Sequence, residues 1–145
     1  MGRIIVQIYE VQDRDEAEAL IELGVEHIGS VLLTADFTRP DDPIAETLDL
    51  VSRCRKKSSL IPLFTDTDSI SRAMDRYRPD IVHFCEVLTG NGSETGRNAA
   101  FERQQVIHKR FPEISIMRSI PIAQTGRSGC VPTLEIAHMF QPISD

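Results

Sequence analysis

The sequence predicts an α/β fold made of five consecutive parallel βα units. Two observations lead to it. Short β-branched apolar runs alternate with helical patterns along the chain, and most of the runs are continuously apolar, as strands covered on both faces are. The runs begin at Ile4, His27, Ser59, Ile81 and Ile114, a spacing that leaves room for one helix between each pair of strands. At 145 residues the chain suffices for one domain with a sizeable core and is short for two.

The first strand is read over Ile4–Ile8, and a helix over Arg14–Leu23 follows, in which Ala17, Leu20, Ile21 and Leu23 keep a helical spacing and Gly24 supplies the stop. His27–Leu33 is the second strand. Its helix, Pro43–Lys56, buries Ile44, Leu48 and Val51 and ends in basic residues that complement the dipole. Ser59–Phe64 is the third strand, followed by a helix over Thr67–Tyr77 that Asp66 or Asp68 caps and Pro79 terminates. Ile81–Phe84 and Ile114–Ile120 are the fourth and fifth strands. Helices over Ala99–Arg110 and around Pro132–Phe140 complete the order. Two architectures accommodate five such units: five of the eight units of a TIM barrel, or a complete five-stranded doubly wound domain of the flavodoxin type. Length favours the second.

Composition narrows the function. With 41% hydrophobic and 26% charged residues the chain reads as a soluble globular protein. A net charge of −6 argues against nucleic acid as partner, because phosphate backbones call for a basic surface. No apolar run is long enough to span a membrane, and the N-terminal apolar stretch is too short for a signal peptide. Cys54, Cys85 and Cys130 are odd in number, widely spaced and without a CxxC pair, so a reduced, cytoplasmic protein without a structural zinc is expected.

The residues favour the barrel where length does not. "VQIYEVQDRDEAEALIELGVEHIGSVL" resembles the opening of the phosphoribosylanthranilate isomerase family, a strand V-K-I-C-G followed by D-A-x-x-A-x-x-x-G-A-D-x-I-G-F. Val6 and Ile8 match the strand, Glu16 to Ala19 the helix, and Gly24 to Gly29 the approach to strand two. "RPDIVHFCE" (Arg78 to Glu86) resembles the family's fourth strand, "ISIMRSI" (Ile114 to Ile120) its fifth, and "QPISD" (Gln141 to Asp145) the lead into its sixth. The resemblance implies the N-terminal five-eighths of a barrel, either truncated or continued past Asp145. It also implies a cofactor-free aldose–ketose isomerisation in tryptophan biosynthesis, acting on a phosphorylated, anthranilate-bearing ribose, or a diverged relative that binds a related phosphosugar.

The departures bear on the chemistry. Tyr9 stands where the family has its cysteine base, Gln7 replaces the preceding lysine and Glu10 the following glycine. The family's acid and phosphate loops would fall beyond Asp145. Tyr9 and Glu10 are therefore the candidate catalytic pair, with Glu10 the better intrinsic base. Candidate ligand-binding residues are Arg118, His83, Cys85, Asp36 and Arg127. Arg118 is one charge in an apolar strand and must reach solvent, a carboxylate such as Glu86 or Glu10, or an anionic ligand. His83 and Cys85 share one strand face, as a nucleophile and base would, or as packed side chains. Arg127, between Gly126 and Gly129, suits a carboxylate or phosphate, and the Leu88 to Gly96 loop sits on the same rim. No metal ligands share a recognisable spacing. The expected partner is a small phosphorylated, sugar-like ligand, with no nucleic acid and no membrane. Exposed sheet edges make a homo-oligomer the further expectation. The competing reading is a non-catalytic ligand-binding or assembly module.

Overall fold

The computed structural model describes residues 4–37, 41–89, 93–124 and 131–145. Five parallel strands form one sheet, β1 (Gln7–Ile8), β2 (His27–Leu32), β3 (Lys57–Pro62), β4 (Ile81–Phe84) and β5 (Ser115–Arg118), in the order β1-β2-β3-β4-β5. Between and after them run α1 (Arg14–Glu22), α2 (Pro43–Arg53), α3 (Thr67–Tyr77), α4 (Ser93–Arg110) and α5 (Thr133–Phe140), and a 3-10 turn closes the chain at Gln141–Ile143. Consecutive order with right-handed crossovers puts every helix on one face of the sheet. This is the winding of a barrel segment; a flavodoxin-like domain places its first strand between the second and third.

Local chemistry fixes the helix ends. Asp13, Asp42 and Asp66 cap α1, α2 and α3, each carboxylate accepting from a backbone N–H three residues on. The acidic run Asp13 to Glu16 is thus the start of a helix, as its position suggests. Gly24 stops α1 with φ at 90°, where a side chain is disfavoured. Two boundaries differ from the sequence reading. α4 begins at Ser93, through Gly96 and Asn98, whose weak helix propensity hides its first turns. β1 pairs only through Gln7 and Ile8, while Ile4, Ile5 and Val6 are 83%, 60% and 44% exposed. They lie at the outer edge of the sheet, with no strand beyond them among the described residues, so their apolar character does not report burial.

The helix-covered face holds the main core: Leu60, Val82, Phe84 and Ile116 from the strands meet Leu48, Ile70, Met74 and Ile107 from α2, α3 and α4. Because strand side chains alternate, the neighbours of these residues point to the opposite, inner face. That face collects Gln7, Tyr9, Gly29, Ser59, Ile61, His83, Met117 and Ser119 by register. The sheet is curled around it. Laid flat, β1 and β5 would stand about 19 Å apart, yet the Tyr9 hydroxyl reaches Met117 Sδ at 3.2 Å. Beyond β5 the chain begins to add to the sheet: the Asp145 N–H donates to the Ile116 carbonyl, and the Asp145 carboxylate accepts from the Ile116 N–H.

Candidate functional site

Tyr9 follows β1 at the C-terminal ends of the strands, where most of the candidate residues lie. Its ring rests on the backbone of Gly29, so close that a Cβ there would sit 2.7 Å from Tyr9 Cδ1. The ring stands 5.2 Å from that of His83, tilted by 48°. Burial raises the Tyr9 hydroxyl above its ordinary value, so it is a proton donor at neutral pH. Glu10 follows with φ at 66°, a left-handed conformation that suits glycine. Its side chain is exposed and makes no hydrogen bond or ion pair among the described residues.

His83 shares with Ser119 a 2.8 Å hydrogen bond at Nε2. Burial, and then the charge of Arg118, lowers its pKa, so the imidazole is neutral at pH 7. Cys85 is on the same strand face, but His83 is engaged with Ser119 and Tyr9. The Cys85 thiol is pushed up by partial burial and by Glu86. A thiol held protonated is a poor nucleophile; the histidine–cysteine pairing considered from sequence is not formed. Asp36 is exposed on the loop after β2, lining a separate cavity of about 320 Å³ with Thr34, Asp42 and Tyr77. Arg127 and its flanking glycines lie outside the described residues.

Arg118 requires a correction. It shares its face with Ile116, toward the helices and away from the strand-end cluster, and its side chain is 1% exposed. Its Nη1 donates to Glu86 Oε2 at 2.6 Å and its Nε to Gln104 Oε1 at 2.8 Å. The guanidinium packs over the rings of Phe84 and Phe140. Glu86 also accepts from Arg103 at 2.8 Å, and Arg103 donates to the Thr65 carbonyl. Burial raises the Glu86 carboxyl, but the Arg118 charge and the bonds from both arginines outweigh it and hold the carboxyl below its usual range. Of the two carboxylates open as partners from sequence, Glu86 is the one found and Glu10 is not, and the guanidinium serves a structural network.

Sequence reasoning missed Ser119, Ser59 and Gly29. Strand alternation, counted from the lone charge at Arg118, was the signal that would have placed Met117 and Ser119 on the inner face. Nothing local marks Arg103 or Gln104 on α4. A cavity of about 700 Å³ opens at the opposite, N-terminal strand ends, around Ser58, Arg78 and Asp80, the end that serves stability in barrels. Among the described residues no three His, Cys, Asp or Glu side chains gather to hold a metal ion, and no helix is long and apolar enough to cross a membrane.

No family model matches the chain, and no curated protein does. A solved structure does: N-(5'-phosphoribosyl)anthranilate isomerase from Pyrococcus furiosus superposes with a TM-score of 0.60 at 14% identity. The likeness is one of fold. It covers 97% of this chain and 60% of that one, so the chain spans less than two thirds of the enzyme's length.

Proposed function

We propose that the chain is a diverged, phosphosugar-binding relative of the phosphoribosylanthranilate isomerase fold. It takes a small phosphorylated, sugar-like ligand at the C-terminal strand ends and does not isomerise it. The carrying observation is the state of Tyr9. Aldose–ketose isomerisation moves a proton from C2 and requires a base at the substrate. Tyr9 occupies the end of β1 with a hydroxyl that burial keeps protonated and that donates to Met117. Glu10 projects from a left-handed backbone and has none of the packing that holds a catalytic carboxylate in place. His83 is neutral, but its Nε2 is engaged by Ser119. What remains suits binding: a neutral imidazole and an exposed serine around one curled face.

Titration with ribose 5-phosphate followed by ³¹P NMR tests this. A saturable shift without conversion to ribulose 5-phosphate is expected, and Glu10→Gly should leave it unchanged. No saturable shift, or ketose formation above the buffer rate, overturns the reading.

The exposed Ile4, Ile5 and Val6 favour a second reading, self-association through the outer edge of β1. Sedimentation across protein concentration tests it; a species that stays at the 16.3 kDa monomer mass throughout overturns it.

A further inference from the structure

Buried polar atoms in proteins are almost always hydrogen-bonded, and those that are not call for an explanation. Among the described residues five buried side-chain polar atoms have no partner: Gln7 Nε2, Ser30 Oγ, Ser59 Oγ, His83 Nδ1 and Arg118 Nη2. Arg118 Nη2 belongs to a guanidinium packed between aromatic rings, and nothing in the structure accounts for Ser30. The other three share the inner face of the sheet. Ile8 packs toward the helices, so Gln7 and Tyr9 point inward together. Ser59 is the register partner of Gly29, on which the Tyr9 ring rests, and is itself fully buried. His83 faces the Tyr9 ring directly.

Tyr9 is what these atoms have in common. Its side chain reaches from β1 to Met117 on β5, over Gly29 and beside His83. The hold at its far end is weak, because a thioether sulfur is a poor acceptor for a hydroxyl. The aromatic ring offers no partner to the amide, hydroxyl and imidazole around it. A ring bearing several hydroxyls would satisfy all three: it can accept from Gln7, exchange donor and acceptor with Ser59, and match either tautomer of His83. None of the three groups is charged, and together they offer both donors and acceptors, which hydroxyls match and an anion, an acceptor alone, does not.

From this arrangement we propose that the inner face beneath Tyr9 is a binding site for the uncharged, hydroxylated ring of the ligand, and that Tyr9 occupies it until the ligand displaces it. This rests on the reading above that a phosphorylated, sugar-like molecule binds at this end of the sheet. Tyr9 then sets the specificity of the site: a ligand enters only if its hydroxyls replace the packing that the phenol ring gives up.

The chain contains no tryptophan and two tyrosines, so Tyr77→Phe leaves Tyr9 as the reporting fluorophore. Tyr77 lies outside the proposed site, bonded to Asp42. The Tyr77→Phe protein is titrated with ribose 5-phosphate, ribose and inorganic phosphate, with ³¹P NMR recording binding of the two phosphates independently. Tyr9 emission is expected to change with ribose 5-phosphate at the midpoint of the ³¹P shift, and to stay constant with inorganic phosphate. Ser59→Ala should weaken ribose 5-phosphate binding about tenfold, the loss of one hydrogen bond in a buried site, and Tyr9→Ala should strengthen it. A saturating ³¹P shift with unchanged Tyr9 emission overturns the displacement and leaves ligand binding standing. An equal response of Tyr9 to inorganic phosphate overturns the preference for hydroxyls. Absence of any ³¹P shift removes both readings. Should Tyr9→Ala fail to fold, the Tyr77→Phe titration decides alone.

Discussion

The two faces of the sheet solve opposite problems. The helix-covered face joins β2, β3, β4 and β5 to α2, α3 and α4 through one apolar cluster, and its buried charges are almost completely paired: Glu86 meets two arginines, and Arg118 also meets Gln104 and two aromatic rings. Across the same strands, one residue out of phase, the inner face leaves an amide, a hydroxyl and an imidazole nitrogen without partners, and the Tyr9 ring lies there against Gly29 and beside His83. Desolvating a polar atom without replacing its bonds costs about 1–3 kcal/mol, and among the described residues the inner face carries three such atoms against Ser30 Oγ and Arg118 Nη2 on the other. The difference separates what holds the molecule together from what is available to a ligand.

The comparison breaks most readily at Glu86. Glu86→Ala leaves Arg118 and Arg103 facing each other without a carboxylate, and removal of one member of a buried ion pair costs about 3–5 kcal/mol. Urea unfolding should record that loss. Adding Arg118→Met removes the stranded charge and keeps its packing against Phe84 and Phe140, so the double variant should recover a large part of it. If the double variant is no more stable than Glu86→Ala, the network is not the coupled unit described above.

How much of this the sequence displays follows from the range of the signals. The order of elements, the Asp66 cap of α3, the stop at Gly24 and the need of Arg118 for a carboxylate are carried by neighbouring residues or by one unavoidable charge. Strand direction and helix face follow from period and connection length. The face of Arg118 is not so legible: a lone arginine in an apolar strand reads equally well as a ligand contact or as a buried pair. Arg103 and Gln104 decide between them, from a helix whose own pattern says nothing of it. Ile4 to Val6 misled for a related reason, since an apolar run states that burial is possible and not that a neighbour is present. Tyr9 and Glu10 are legible as departures from a resembling motif, but that the ring lies on Gly29 and beside His83 depends on register across the sheet.

On the inner face the sharper test is Gly29→Ala. The new Cβ would fall 2.7 Å from Tyr9 Cδ1 and 3.3 Å from the Ile8 carbonyl oxygen, and overpacking of this kind costs about 1–3 kcal/mol. The ring can move where the carbonyl cannot. In a Tyr9→Cys background, which restores the residue of the resembling motif, most of the penalty should therefore vanish. A double-mutant cycle from urea unfolding gives the coupling. Additive losses would mean that the ring is not held against Gly29, and the contrast between a packed and a displaceable face would fail.

The smallest effect separates the faces by pH. Burial, and next the Arg118 charge, hold the folded-state pKa of His83 below its unfolded value near 6.5. The unfolded chain therefore binds the extra proton first, and stability is lost as pH falls from about 6.5 toward the depressed folded value. Glu86, Asp42 and Asp80 are also lowered: burial raises each, and the Arg118, Arg76 and Lys57 interactions respectively outweigh it. Their contribution is complete above the ordinary carboxylate range near 4 and is lost as pH falls through their folded values. The inner face thus titrates before the helix-covered face. Unfolding free energy measured from pH 7 to pH 3 should decline in two stages, and His83→Gln should abolish the upper one while leaving the lower unchanged. If the variant keeps the decline between about pH 6.5 and pH 5, where this imidazole alone is invoked, the imidazole is not desolvated beneath Tyr9 and the inner face is wet.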